Sequence, residues 1–231
     1  MKSARWVFAA AALGAALAAP AAPPQRVTLE YEVSRNGTAM VEAVETLEHD
    51  GRSYRIGSEW RGKGLFALAA RGAAKRSSEG VIDDSGLHPV EFRDQRGEAP
   101  VAVAKFDWSR RVLVRQREGR SESTPMPERA HDRLSFAFGF GFAPPAGKEI
   151  SAVLGDAGGL SRVRYVAAGH ELLHTAAGDF DTLHLVKQRD GGDDRGTEIW
   201  LATKAHYLPL RILVTEKDGT RIDQRVTRIV Q

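Results

Sequence analysis

The sequence predicts an all-β, mainly antiparallel fold: a strongly curved sheet built from consecutive hairpins. Three observations carry this. Apolar and polar residues alternate with period two from Val27 onward. Turn dipeptides recur between the alternating runs, beginning with Asn36-Gly37 and Asp50-Gly51. Neither a helix–strand alternation nor a dinucleotide-type glycine signature is present.

The first strand places Val27, Leu29, Tyr31 and Val33 on one face and Thr28, Glu30, Glu32 and Ser34 on the other. Asn36-Gly37 turns the chain into a second strand, Thr38 to His49. Asp50-Gly51 turns it into a third, with Tyr54, Ile56, Ser58 and Trp60 on one face. Ser85-Gly86, Glu118-Gly119, Gly191-Gly192 and Asp218-Gly219 supply further turns. Between them lie strand-like runs at Val101–Trp108, Arg111–Arg117, Thr182–Gln188, Thr197–Ala202, Leu210–Glu216 and Arg221–Val230. Ser121 to Pro127 reads as a loop. Arg110 to Arg120 interleaves with Val112 and Val114, so its arginines read as the wet face of a strand. Residues 25–231 are expected to form a single β-rich domain.

Asp132 to Phe142 reads DRLSFAFGFGF. Asp132 can cap a short helix starting near Arg133, and Gly139 and Gly141 oppose a long one. On a helix Phe136 and Phe140 share a face; on a strand Phe136, Phe138, Phe140 and Phe142 all do. The run is either core filler or the wall of an apolar cavity.

Residues 1–21 form an address rather than a fold element. Lys2 and Arg5 precede an apolar run from Trp6 to Ala19, and Ala19-Pro20-Ala21 fits a signal-peptidase site. The rival, a membrane anchor, needs roughly 20 apolar residues, more than this run supplies. No later run is long and apolar enough to span. Export to the periplasm is the expectation. Without Lys2 and Arg5 the chain carries 31 basic against 30 acidic residues, which argues against a nucleic-acid partner despite the sequence pI of 9.3. The chain has no cysteine, so disulfides, thiolate metal sites and a cysteine nucleophile are excluded.

His170-Glu171-Leu172-Leu173-His174 is an H-E-x-x-H motif. On a helix it would grip zinc, with Glu171 activating water and a distant acid such as Glu198 as third ligand. Gly169 before it and Ala177-Gly178-Asp179 after it favour a strand instead. There the imidazoles of His170 and His174 sit about 13 Å apart, too far for one ion. We therefore expect no metal and no cofactor, and treat the motif as a decoy. Asp83-Asp84 and Asp190 to Asp194 lack calcium-loop spacing and read as solvated turns. Ser135 and Ser161 lack a nucleophile-elbow context. His49, His88, His131 and His206 read as surface residues near turns.

The C-terminal third is the most distinctive part. Gly178-Asp179-Phe180-Asp181-Thr182-Leu183-His184-Leu185 leads into Thr197-Glu198-Ile199-Trp200-Leu201-Ala202, then Tyr207-Leu208-Pro209-Leu210-Arg211-Ile212 and Asp218-Gly219-Thr220. With Ser78-Glu79-Gly80, Gly86-Leu87-His88-Pro89 and Asp132-Arg133-Leu134-Ser135, this series resembles an exported proteobacterial family of unknown function, the DUF3108 type. The resemblance spans nearly all of the chain after the leader and implies no assigned catalytic residue. A weaker, fold-level likeness is to periplasmic lipoprotein-carrier half-barrels, whose apolar concavity is closed by one or two short helices as a lid. That likeness implies a lipid or acyl ligand, with Phe136, Phe138, Phe140 and Phe142 as lid and Trp60, Trp108 and Trp200 as lining. An envelope scaffold docking a protein partner is the alternative, and a zinc hydrolase at His170–His174 the outsider.

Overall fold

The computed structural model describes residues 23–64, 74–189 and 195–231. The leader and the Asp190 to Asp194 cluster lie outside them.

The first half of the chain is a meander. It runs through β1 (Arg26–Arg35), β2 (Thr38–His49), β3 (Ser53–Gly62), β4 (Ala74–Asp83), β5 (Gly86–Arg96), β6 (Ala102–Asp107), β7 (Val112–Arg117) and β8 (Arg120–Pro125). One short helix follows, α1 (Arg133–Gly139). The second half is another meander: β9 (Glu149–Asp156), β10 (Gly159–Thr175), β11 (Gly178–Lys187), β12 (Gly196–Ala202), β13 (Leu208–Thr215) and β14 (Arg221–Val230). The two halves join where β14 pairs antiparallel with β1. The result is a single 14-stranded sheet in the order β8-β7-β6-β5-β4-β3-β2-β1-β14-β13-β12-β11-β10-β9. It does not close into a barrel: β8 and β9 remain its two edges.

Apart from Gly191-Gly192, which lies outside the described residues, the expected turns are where the dipeptides placed them. Asn36 and Gly37 both take positive φ, as do Glu118 and Gly119, which matches the strand twist across a two-residue hairpin. The alternation in β1 is also as expected, with Val27, Leu29, Tyr31 and Val33 buried.

Inside the curve the sheet packs on α1, which touches β4 and β5 on one arm and β9 and β13 on the other. The helix is thus a plug held within the concavity. Its Phe138 joins the larger core beside Leu29, Ile56 and Phe92. Its Phe136 and Phe140 share the opposite face, as helical spacing requires, and pack with Val163, Tyr165, Leu185 and Leu201. Asp132 caps the helix: its Oδ1 accepts from Leu134 N at 2.8 Å and Ser135 N at 3.0 Å. Ser135 Oγ accepts from Asp132 N at 2.9 Å, completing the box.

Three sequence expectations need correction. Arg120–Pro125 is a strand, not a loop; as an outer edge its residues are almost all exposed, so they show no apolar alternation. In β7 the inward residue is Leu113, so Arg115, two residues on, shares the inward face while Val112 and Val114 turn outward. His131 is not a surface residue, because its backbone is drawn into the edge of the sheet.

Candidate functional site

The free edge of β9 approaches the arm that carries β6 and β7 without strand pairing to it, leaving a seam. Three contacts cross it. The ring of Phe106 on β6 lies so close to Gly155 on β9 that a Cβ there would sit 3.0 Å from it. Arg115 Nη1 donates to Gly158 O at 3.0 Å, and the same guanidinium pairs with Glu122 at 2.6 Å. His131 supplies the third contact. Its N–H donates to Val153 O at 2.8 Å and its C=O accepts from Gly155 N at 2.7 Å, a parallel bridge to β9. Its ring reaches the backbone of Leu87 on β5. One residue therefore stitches both arms of the sheet. Burial is the main force pushing its imidazole down to about 4, so the ring is neutral at ordinary pH. Its Nδ1 is buried without a hydrogen-bond partner.

Beyond this stitch, among the described residues, Glu149 to Ala152 of β9 have no strand partner on the free edge. A gap opens there with a hollow on each side. The inner hollow measures about 330 Å³ and is walled by Phe136 of α1 and Phe140 at its C-cap, Pro144 and Pro145, and Ile150 and Ala152 of β9. The outer hollow measures about 450 Å³ and is walled by Arg129, Arg162, Arg164 and Val153. Arg129, His131, Ser151 and Ala152 line both, so the two meet around the edge of β9. The alternation in β10 explains the contrast: Val163 and Tyr165 point into the core, so Arg162 and Arg164 must point out. Each hollow falls in the size range of small-molecule sites, roughly 300–1,000 Å³.

A third hollow, of about 630 Å³, lies at the β2–β3 turn. Its charges are already paired, Arg26 with Glu48 and Arg55 with Glu79, so it offers little to a ligand.

The sequence-named aromatic residues divide among several places. Phe136 and Phe140 meet at the inner hollow, while Phe138 faces the core. Phe142 sets its ring against His49, centroids 5.0 Å apart. Trp108 stacks on Phe106 at 5.9 Å and donates to Pro89 O at 2.8 Å. Trp60 donates to Ser58 Oγ at 3.1 Å, with Arg76 5.4 Å from its ring. Trp200 is sandwiched between His184, at 4.2 Å, and the Arg211 guanidinium, at 4.3 Å. The indole N–H of Trp200 donates to Glu171. Of these residues, Phe136 and Phe140 together line one of the hollows described above.

Two buried polar clusters fasten the interior. Glu45, Ser58, Arg76 and Asp94 stand opposite one another in register across β2 to β5. Ser58 donates to Glu45 at 3.0 Å, and Arg76 pairs with Asp94 at 3.2 Å. Ser78 donates to Asp132 Oδ2 at 2.6 Å and shares a 3.1 Å hydrogen bond with Tyr54. Burial raises the carboxyls of both Glu45 and Asp132 above their ordinary range. Both are enclosed: the Asp132 cluster locks the plug to β4, and the Glu45 cluster ties β2 to β5.

The H-E-x-x-H residues lie on β10, a strand. His174 pairs with Asp179 across the hairpin at 2.8 Å, and the formal third ligand Glu198 pairs with His184 at 2.8 Å. The helical grip a zinc hydrolase needs is replaced by an extended chain. Among the described residues no helix is long and apolar enough to cross a membrane.

The model of a protein family of unknown function, DUF3108, matches residues 29–227. The chain belongs to the DUF3108 family. This DUF3108 chain also resembles a solved β-barrel-like protein of another domain of unknown function, DUF1849, from Brucella abortus. The TM-score is 0.57 at 9% identity, over 90% of this chain and 98% of that one. Such a likeness shows the fold alone. A candidate lipoprotein from Parabacteroides distasonis covers 90% of this chain and 97% of its own at 8% identity, but its TM-score of 0.37 is too low to bear on the fold. No curated protein matches the DUF3108 chain.

His131, Arg129 and Arg162 are the site residues that sequence reasoning missed. Their only sequence signal was proximity to the Asp132 cap and to the apolar positions of β10.

Proposed function

We propose that this DUF3108 protein is exported to the periplasm, where residues 25–231 act as one non-enzymatic domain that binds or carries an acyl chain. Residues 1–21 supply the export signal in this reading. The observation that carries the proposal is the gap beside Glu149 to Ala152, which leads to the apolar wall of Phe136 and Phe140. A sheet that bends this far but stops short of closure leaves apolar side chains at its seam, and a chain-like ligand would cover them.

Native mass spectrometry of protein purified from the periplasm tests this. The expected result is a bound mass matching a lipid or fatty acid, lost in Ala152→Arg, which fills the inner hollow with a charge. An apo mass for the unaltered protein would count against the proposal.

A second reading, an envelope scaffold for a protein partner, is favoured by the plug itself. Leu134 to Phe138 are all buried, so the centre of the concavity is filled by the chain. In that case cross-linking would capture a partner and no lipid would co-purify.

A further inference from the structure

We propose that the seam takes an anionic amphiphile, its carboxylate or phosphate head held outside on Arg129, Arg162 and Arg164 and its chain passing inward past the edge of β9. This deepens the acyl-chain reading and rests on it.

The geometry supports a head and a tail at once. The outer hollow gathers three guanidinium groups from two separate segments, the stretch before His131 and strand β10. Glu128, next to Arg129 in the chain, pairs with Arg111 at 3.4 Å, and Asp156 on β9 pairs with Arg133 at 3.0 Å. Among the described residues no ion pair engages Arg129 or Arg162. Among the described residues lining the two hollows, Glu149 is the one acid. The neutral His131 ring adds no charge and sets an apolar face at the neck, tilted over Phe136 with centroids 6.2 Å apart. Arginine presents planar paired donors that match a carboxylate or phosphate, and its guanidinium is less tightly hydrated than an ammonium. A wholly apolar ligand would leave Arg129 and Arg162 facing the mouth without a counter-charge from the described residues. A free anion would leave the phenylalanine wall uncovered.

Calorimetric titration of the delipidated protein with palmitate, hexadecanol and inorganic phosphate separates these cases. Palmitate should bind at least about tenfold more tightly than hexadecanol, and added salt should narrow the difference by screening. In the double variant Arg129→Glu/Arg162→Glu the preference should collapse to less than about threefold, since two attractive charges become repulsive. Both positions are exposed, and an unchanged melting temperature would verify that the variant folds. Equal affinity for palmitate and hexadecanol would overturn the head-group inference while leaving the acyl reading intact. Phosphate binding without either sixteen-carbon compound would overturn both, leaving a free-anion site. Binding of none of the three would also overturn both.

Discussion

Replacing Asp132 by alanine should loosen the plug helix from the sheet. The side chain makes three buried hydrogen bonds, to Leu134 N, Ser135 N and Ser78 Oγ, at 2.8, 3.0 and 2.6 Å. Loss of a helix cap costs about 1 kcal/mol. Leaving a buried N–H unmet adds about 1–3 kcal/mol. Ser78 can redirect its hydroxyl to Tyr54, so its share is small. Removing a carboxylate whose ionisation burial opposes returns a little stability. The net loss is about 3 kcal/mol, which for a domain of this size lowers the melting temperature by about 6–12 °C. Asp132→Asn keeps the oxygen that accepts from both backbone groups and should lose less than half as much. Thermal unfolding followed by circular dichroism measures all three proteins. A melting temperature for Asp132→Ala within about 2 °C of the parent would refute the anchoring role. Equal losses for Asn and Ala would show that the charge, not the cap, holds the helix.

Further predictions concern the seam and the curvature. His131 remains neutral in the folded chain down to about 4, whereas the unfolded ring protonates near 6.5. Its contribution is therefore complete above pH 6.5 and drains as pH falls toward 4, by about 3 kcal/mol. His131→Leu should flatten that limb of the urea-unfolding profile; an unchanged limb would exclude His131 as its source. Arg115→Ala removes the latch to Gly158, so amide exchange in the β9–β10 hairpin should accelerate while β1 and β14 keep their protection; uniform protection throughout would contradict the latch. A Cβ on Gly80 would lie 2.0 Å from His88 O at the bulge of β4 against β5, so Gly80→Ala should destabilise by about 2 kcal/mol in urea titration. A midpoint equal to the parent's would show that the bulge relaxes freely.

The legible part of the fold follows a simple physical rule. Strands with one greasy face and a tight turn at the end, such as β1, β2 and β14, stand where alternation and Asn-Gly or Asp-Gly turns put them. The helix was legible from its Asp132 cap and Gly139 stop. Strand β4 was not, because two of its inward positions are Arg76 and Ser78, polar residues satisfied by partners on other strands. Strand β5 hides behind Pro89, tolerated because the register shifts there. β8 hides because an outer edge need bury nothing. The strand reading of His170 to His174 held, since the flanking turns outweigh a five-residue motif. The seam could not be read at all. Which edges end up face to face depends on how far fourteen strands curl, a sum over every twist and bulge. That sum brings Arg129 beside Arg162 and makes His131 a stitch between arms.

Photo-crosslinking with a palmitate analogue bearing a diazirine near the chain terminus tests the seam most directly. Peptide mapping by mass spectrometry should place adducts on Phe136 to Pro145 and on Ile150 to Ala152, and excess palmitate should compete them away. Adducts concentrated on the β10–β11 tip, or spread without competition over the outer strands, would contradict a ligand site at the free edge of β9.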